Sequence, residues 1–331
     1  MSRRTRAPVL VIAALALSAL TVLATTLGTY PLSAAQAWAT LTAPAEDLHS
    51  FVLWELRLPR VALALLAGAA LGVAGLLMQA ITRNPLAAPG LIGVEGGASV
   101  TLLVVLVAAP GLLAPAAYPF AALIGGLAVS AVVAALAWRG DVSPLRLILV
   151  GIGMSALLGA VANLLVTYGD LDRVESALQW LGGSLHRADW GQVRRQAIWL
   201  LVVGLPLLAA TRALDVFRLG RVTATSLGIS VPATAGALLV ASAVLTAVSV
   251  AHVGAMTFVG LLAPHLARQI GGDRHAVLLP LSGLCGAALV LAGDTLGRTL
   301  AAPLQVPAGL MIALVGAPYL ILLLARRRLP T

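Results

Sequence analysis

Long apolar runs alternate with short polar connections along this chain, and the runs exceed what the core of a water-soluble domain requires. Stretches at 9–27, 61–82, 91–109, 116–138, 145–168, 193–211, 232–252, 275–296 and 308–325 approach or pass the ~20 residues that carry a helix across a bilayer. A further segment, 257–270, is shorter and more polar and reads as a partial helix. The pattern predicts an all-α, polytopic membrane protein of about ten transmembrane helices, folded as a single transmembrane domain over 1–331. The first run follows Arg3, Arg4 and Arg6, as in a signal peptide, and Ala35-Gln36-Ala37 resembles a cleavage site. Its apolar stretch is longer than the 7–15 residues of a signal core, so it reads as the first span.

Composition sharpens the picture. The 331 residues are 60% hydrophobic and 10% charged, with a mean hydropathy of +1.01, whereas a soluble domain carries about 25% charged residues. All 21 basic residues are Arg. Without Lys the chain supplies neither the P-loop cation that grips nucleotide phosphates nor a Schiff-base amine. The formal charge of +9 is scattered between apolar runs, which suits membrane orientation better than a phosphate-tracking stripe, so no nucleic-acid partner is expected. Cys285, the one cysteine, lies in an apolar run and reads as a packing residue.

With the N-terminus inside, the inner segments collect Arg3, Arg4, Arg6, Arg83, Arg139, Arg146, Arg212, Arg218, Arg221, Arg268, Arg274 and Arg326 to Arg328, 14 of the 21. This is the positive-inside pattern and predicts cytoplasmic termini. Trp38, Trp54, Trp180, Trp190, Tyr30, Tyr118 and Tyr168 fall near the opposite boundary, as an interfacial belt. Small residues one turn apart, Gly68 with Gly72 and Gly93 with Gly97, together with Gly151, Gly153 and Gly159, predict close helix packing.

Two connections differ from plain loops. Segment 170–192 carries Leu171, Val174, Leu178 and Leu181 at helical spacing, which predicts a short helix along the outer surface. Segment 214–232 holds a helix-sized piece between Gly220 and Gly228, either a solvated loop or a cytoplasmic docking helix. The polar residues at membrane depth are Glu95, His252, His265 and Asp294, with Gln79 and Asn163. They are too scattered for a proton relay, which counts against an ion-coupled carrier. No H-E-x-x-H, G-x-S-x-G or zinc-spaced pair occurs, which removes the enzyme classes those motifs mark and leaves no metal site in view.

Four segments carry a family resemblance: R-L-P-R at Arg57 to Arg60 leading into Gly68 to Ser99 with R-N-P-L-A-A-P-G; QWLGGSL at Gln179 to Leu185; Phe258 to Gly283 with P-H-L-A-R; and AGDTLGR with QVPAGLMIALVGAPYLILLL. Together they resemble the permease subunit of binding-protein-dependent ABC importers for ferric siderophores, haem and cobalamin. The resemblance implies a BtuC-like type II ABC importer permease that pairs with a second copy or close paralogue. It implies two ATP-binding subunits below, where ATP and Mg are held, and a substrate-binding protein above; no cofactor is expected on this chain. Arg57, Arg60 and Arg298 match the arginines that meet the binding protein, helix-end anchoring at headgroups being the alternative. Gly220, Arg221, Ala224, Thr225 and Gly228 match the coupling helices that fit the ATPases. Asn84, Pro85 and Leu86 match one cytoplasmic gate; Ser143 and Pro144 map to the second, where Pro144 departs from the small polar residue of the pattern. Glu95 is another departure. Import of a ferric siderophore is the expected function, with haem and cobalamin open and ion-coupled transport as the reading from another class.

Overall fold

In the computed structural model, which describes residues 6–28, 30, 32–44, 47–138, 143–300, 302 and 304–326, every predicted apolar run is helical. The helices in chain order are α1 (Arg6–Thr26), α2 (Ala34–Thr42), α3 (Leu48–Ser50), α4 (Leu58–Thr82), α5 (Val94–Leu103), α6 (Tyr118–Ala137), α7 (Pro144–Tyr168), α8 (Leu171–Leu181), α9 (Trp190–Ala209), α10 (Thr211–Phe217), α11 (Arg221–Ser226), α12 (Val231–Val253), α13 (Val259–Gly271), α14 (His275–Thr299) and α15 (Ala308–Arg326). A π-helical turn, Phe51–Arg57, runs into α4, and another, Val104–Ala108, continues α5. Arg3, Arg4, Arg139, Arg327 and Arg328 of the charge count lie outside the described residues.

Among the described residues, six helices are long and apolar enough to cross a membrane unaided, and α9 with α10, bent by 65°, makes up to seven. Helices lie at the positions of the expected spans, but a count of ten crossings is not reached: Val94–Ala108, Ala308–Leu322 and the 13 residues of α13 are too short to count. The bend follows Pro206, which removes a backbone donor inside α9 and directs α10 away from the span.

Helix α4 is the centre of the bundle and packs against α12, α13 and α14. Lipid-embedded helices gain nothing by hiding apolar side chains from lipid, so close approach must come from small residues. Gly68 and Gly72 lie against the carbonyls of Gly286 and Ser282 on α14, and Gly75 lies against the carbonyl of Gly260 on α13. A methyl at any of the three would collide with backbone. Ser242 of α12 adds a hydrogen bond to the Ala74 carbonyl at 3.0 Å, satisfying a buried hydroxyl between two spans. Gly97 of α5 and Gly125 of α6 repeat the device in a second layer.

The expectation for α7 is met in part. Gly151 packs on the Leu91 carbonyl of the 3-10 turn Pro89–Ile92, but Gly153 and Gly159 face open space. Only Leu147 and Gly151 of α7 are buried: one side of the helix packs on α5 and α6, and the other side is left uncovered. Helix α8 forms where predicted, capped by Asp170, with Val174 and Ala177 buried and Leu178 exposed instead of packed. Residues 174 and 177 are one turn apart and share a face, which narrows the apolar stripe read from the leucines.

Candidate functional site

The residues singled out by the sequence gather at the two ends of the bundle. At one end, Arg57 closes the π-helical turn, Arg60 sits in the first turn of α4 and Arg298 in the last turn of α14. All three line one pocket of ≈ 210 Å³, together with Tyr30, His186 and Gln305.

Their hydrogen bonds differ in kind. Arg57 donates from Nη1 to the carbonyls of Thr25 (2.7 Å) and Thr26 (3.0 Å) and from Nη2 to that of Tyr30. Arg298 donates to the carbonyls of Leu27 (2.8 Å) and Ala24. All but the Tyr30 carbonyl lie at the end of α1, where a helix leaves its last C=O groups unpaired and carries partial negative charge. The two guanidiniums thus cap α1 and are only 6% and 7% exposed. Arg60 instead faces Asp294, with Nε 3.0 Å from both carboxylate oxygens and Nη2 2.8 Å from Oδ1. Its Nη1 donates to Gln305 Oε1 at 2.9 Å. The expectation of three outward-reaching cations is thereby narrowed: the three share a pocket, but two are turned inward onto α1, and Arg60, 13% exposed, is the most accessible.

At the other end, α11 occupies the interval between Gly220 and Gly228. Gly220 precedes it at φ +106°, ψ +164°, a conformation open essentially to glycine. Gly228, at φ +82°, closes it through two bonds, Gly228 N–H to the Thr225 carbonyl (3.0 Å) and Ile229 N–H to the Ala224 carbonyl (2.9 Å). That pair is a Schellman motif, which needs a left-handed residue at this position. Ala224 is fully buried, while Val222, Leu219 and Leu227 are 81%, 58% and 60% exposed, and Arg221 and Thr225 also face outward. The segment is a capped helix whose outer face mixes Val222 and the flanking Leu219 and Leu227 with the polar Arg221, Thr223 and Thr225.

The residues that match the family's cytoplasmic gates are fixed locally. Asn84 accepts the Leu86 N–H on its Oδ1 at 2.9 Å, an Asx turn that fixes Asn84-Pro85-Leu86 after α4. Ser143 is the N-cap of α7, its Oγ 3.4 Å from the Arg146 N–H, and Pro144 stands at the first helical position. Proline is preorganised there, which accounts locally for the departure from the family pattern.

The polar residues at membrane depth are mostly partnered within the chain. His252 Nδ1 lies 3.0 Å from Gln196 Oε1, His265 Nε2 lies 2.8 Å from Gln269 Nε2, and Gln79 Oε1 accepts from Arg268 at 3.0 Å. Glu95 sits in the first turn of α5, where the helix dipole favours a carboxylate. Asn163 is exposed on α7 and makes no hydrogen bond to another described residue. Sequence reasoning missed Asp273, which meets Arg218 and Arg268, and Asp215, which meets His275, since nothing in their spacing signals either pairing.

The model of the FecCD transport family matches residues 15–326. The Fe(3+) dicitrate transport permease FecD of Escherichia coli is 42% identical over 281 residues, covering 85% of this chain and 87% of the relative. The achromobactin transport permease CbrC of Dickeya dadantii is 39% identical over 279 residues, covering 84% and 80%. The hemin transport permease HmuU of Yersinia pestis is 38% identical over 305 residues, covering 91% and 90%. Among solved structures, an inward-facing metal-chelate type ABC transporter superposes with a TM-score of 0.84 at 28% identity, over 96% of this chain and 99% of the other. A match across nearly the whole chain places this protein: it belongs to the FecCD transport family.

Proposed function

We propose that this chain is the membrane-spanning permease of an ATP-driven importer that carries a ferric siderophore across the bacterial inner membrane. The observation that carries the reading is the family match over 15–326, with relatives named for transport of achromobactin, ferric dicitrate and hemin. ATP and Mg are bound by partner subunits; this chain holds neither and makes no covalent chemistry.

Two ATP-binding subunits dock at the exposed face of α11, and the rigid, glycine-bounded helix converts their movement into a rigid-body shift of the bundle. A substrate-binding protein docks at the opposite end, where Arg60 and its pocket offer a positive surface. The pathway lies between this chain and a second copy or close paralogue along α7. There Gly153, Ala156, Gly159, Ala160, Asn163 and Thr167 form an exposed stripe of small and polar side chains. A polar amide without a partner is expensive against lipid, so Asn163 favours a water-filled cavity or a neighbouring helix. Walls of this kind guide a bulky chelate without holding it.

The test is purification from the native membrane in mild detergent, followed by reconstitution with whatever ATPase stays bound and uptake of iron-labelled siderophores, hemin and cobalamin. ATP-dependent uptake of a ferric siderophore is expected. Preferential uptake of hemin, which the similarity to HmuU makes the second reading, would replace the cargo but keep the importer. A reproducibly lone homo-oligomer without an ATPase would overturn it.

A further inference from the structure

Asp273 lies in the turn between α13 and α14, and two arginines from different parts of the chain meet on its carboxylate. Arg218 Nη1 and Arg268 Nε are each 3.1 Å from Oδ1. Arg218 Nη1 also donates to the Asp273 carbonyl at 3.0 Å, so it grips both the side chain and the backbone of the turn. Arg218 closes α10, two residues before Gly220. Arg268 is on α13, and its Nη1 donates to Oε1 of Gln79, a buried residue in the last turn of α4. Gln79 Nε2 returns to the Leu261 carbonyl of α13 at 3.4 Å.

These bonds form a continuous connection from the segment before α11, through the α13–α14 turn, to the end of α4. The α4 end leads directly into Asn84-Pro85-Leu86. Arg83 and Pro85 line the same ≈ 300 Å³ pocket as Arg218, Arg268, Asp273 and His275. Ala224 belongs to the same core cluster as Leu214 and Phe217, so α11 is seated on α10 and carries Arg218 with it. A parallel clasp joins α10 to the start of α14: Asp215 Oδ1 accepts the His275 N–H at 2.9 Å and lies 2.7 Å from His275 Nδ1.

We propose that Asp273 is a positioning residue for transport, transmitting movement of the α10–α11 segment to α13 and to the gate loop after α4. The proposal deepens the importer reading and rests on it. Stability is a poor explanation for this arrangement: Asp273 is 53% and Arg218 46% exposed, and ion pairs that exposed add little to folding. What they supply is direction, because Oδ1 can hold both guanidiniums only while α10, the turn and α13 keep their spacing. Gly272, at φ +74°, fixes the path of the turn that presents the carboxylate.

The test has two arms. In the chain alone, in detergent and with Cys285→Ser to remove the native thiol, spin labels go on the exposed positions 222 and 83. Asp273→Asn should widen the distribution of label separations, and Asp273→Glu, which keeps the carboxylate, should restore it. In the assembled importer, Asp273→Asn should lower uptake per ATP hydrolysed about tenfold, within the range of coupling between sites, while the ATPases stay bound and hydrolyse ATP. Arg218→Gln breaks the same link from the other side and serves if Asp273→Asn does not fold. An unchanged distribution overturns the proposal whatever uptake does, and so does a widened one with unchanged uptake per ATP. Failure of the unaltered chain to bind any ATPase would count against the importer reading instead, and the label measurement would still decide the mechanical link.

Discussion

Arg60 holds Asp294 in a fork, with Nε equidistant at 3.0 Å from the two carboxylate oxygens, and so ties the first turn of α4 to the last turns of α14. Asp294 is 1% exposed, and Arg298 Nε lies 3.6 Å from its other side, inside ion-pair range but without a hydrogen bond. One carboxylate thus balances two guanidiniums where α4 and α14 meet the end of α1.

Removing that carboxylate leaves two cations facing each other. Asp294→Ala should destabilise the chain by about 3 kcal/mol, the usual cost of deleting one partner of a buried pair. Asp294→Asn keeps acceptors for Arg60 without the charge and should fall between. Thermal unfolding in detergent reads the order; equal midpoints for all three would show that the fork contributes nothing.

The glycines divide into two classes with opposite expectations. Gly75→Ala forces a methyl into the Gly260 carbonyl and should sharply reduce the yield of folded protein. Gly159→Leu meets open space and should leave the monomer folded. If α7 faces a second copy, the same change should abolish dimers in cross-linking or native mass measurements. Intact dimers would place the interface elsewhere.

The Schellman turn after α11 gives a graded test. Gly228→Ala puts a side chain into left-handed backbone at roughly 1–2 kcal/mol, whereas Gly228→Asn, which tolerates that region, should cost less. Binding of the purified ATPase should weaken in the order Gly, Asn, Ala. Equal binding would mean that the geometry of α11 is irrelevant to docking.

The clasp between α10 and α14 carries a pH dependence. Burial raises the Asp215 carboxyl pKa, but the His275 N–H and imidazole, together with the charge of Arg218, outweigh it and hold the group below the ordinary carboxylate value. A carboxyl lower in the folded than in the unfolded state adds stability above the unfolded pKa, about 3.9, and loses it as pH falls through the folded value. Amide exchange over Thr211–Phe217, corrected for intrinsic rates, should therefore accelerate as pH falls below about 4. Asp215→Asn should exchange faster throughout and lose the acid step.

Hydrophobic run length, arginine placement and glycine spacing made the helices legible in advance, along with the Gly220–Gly228 segment and the residues that mark the family. Those are local properties: a run of apolar residues is helical in lipid whatever surrounds it, and a motif is read without knowing its neighbours. The role of each arginine was not local. Arg57, Arg60 and Arg298 look alike in the sequence, yet only the packing of α1 against α14 turns two of them onto unpaired carbonyls and leaves Arg60 to Asp294, 234 positions away. The same holds for Asp273, whose partners come from α10 and α13, and for Gly153 and Gly159, which resemble packing glycines until the bundle leaves their face uncovered. Composition and periodicity determine which segments enter the membrane. Which polar groups meet there depends on how the helices cross, because a buried charge is tolerated only where another element supplies its partner.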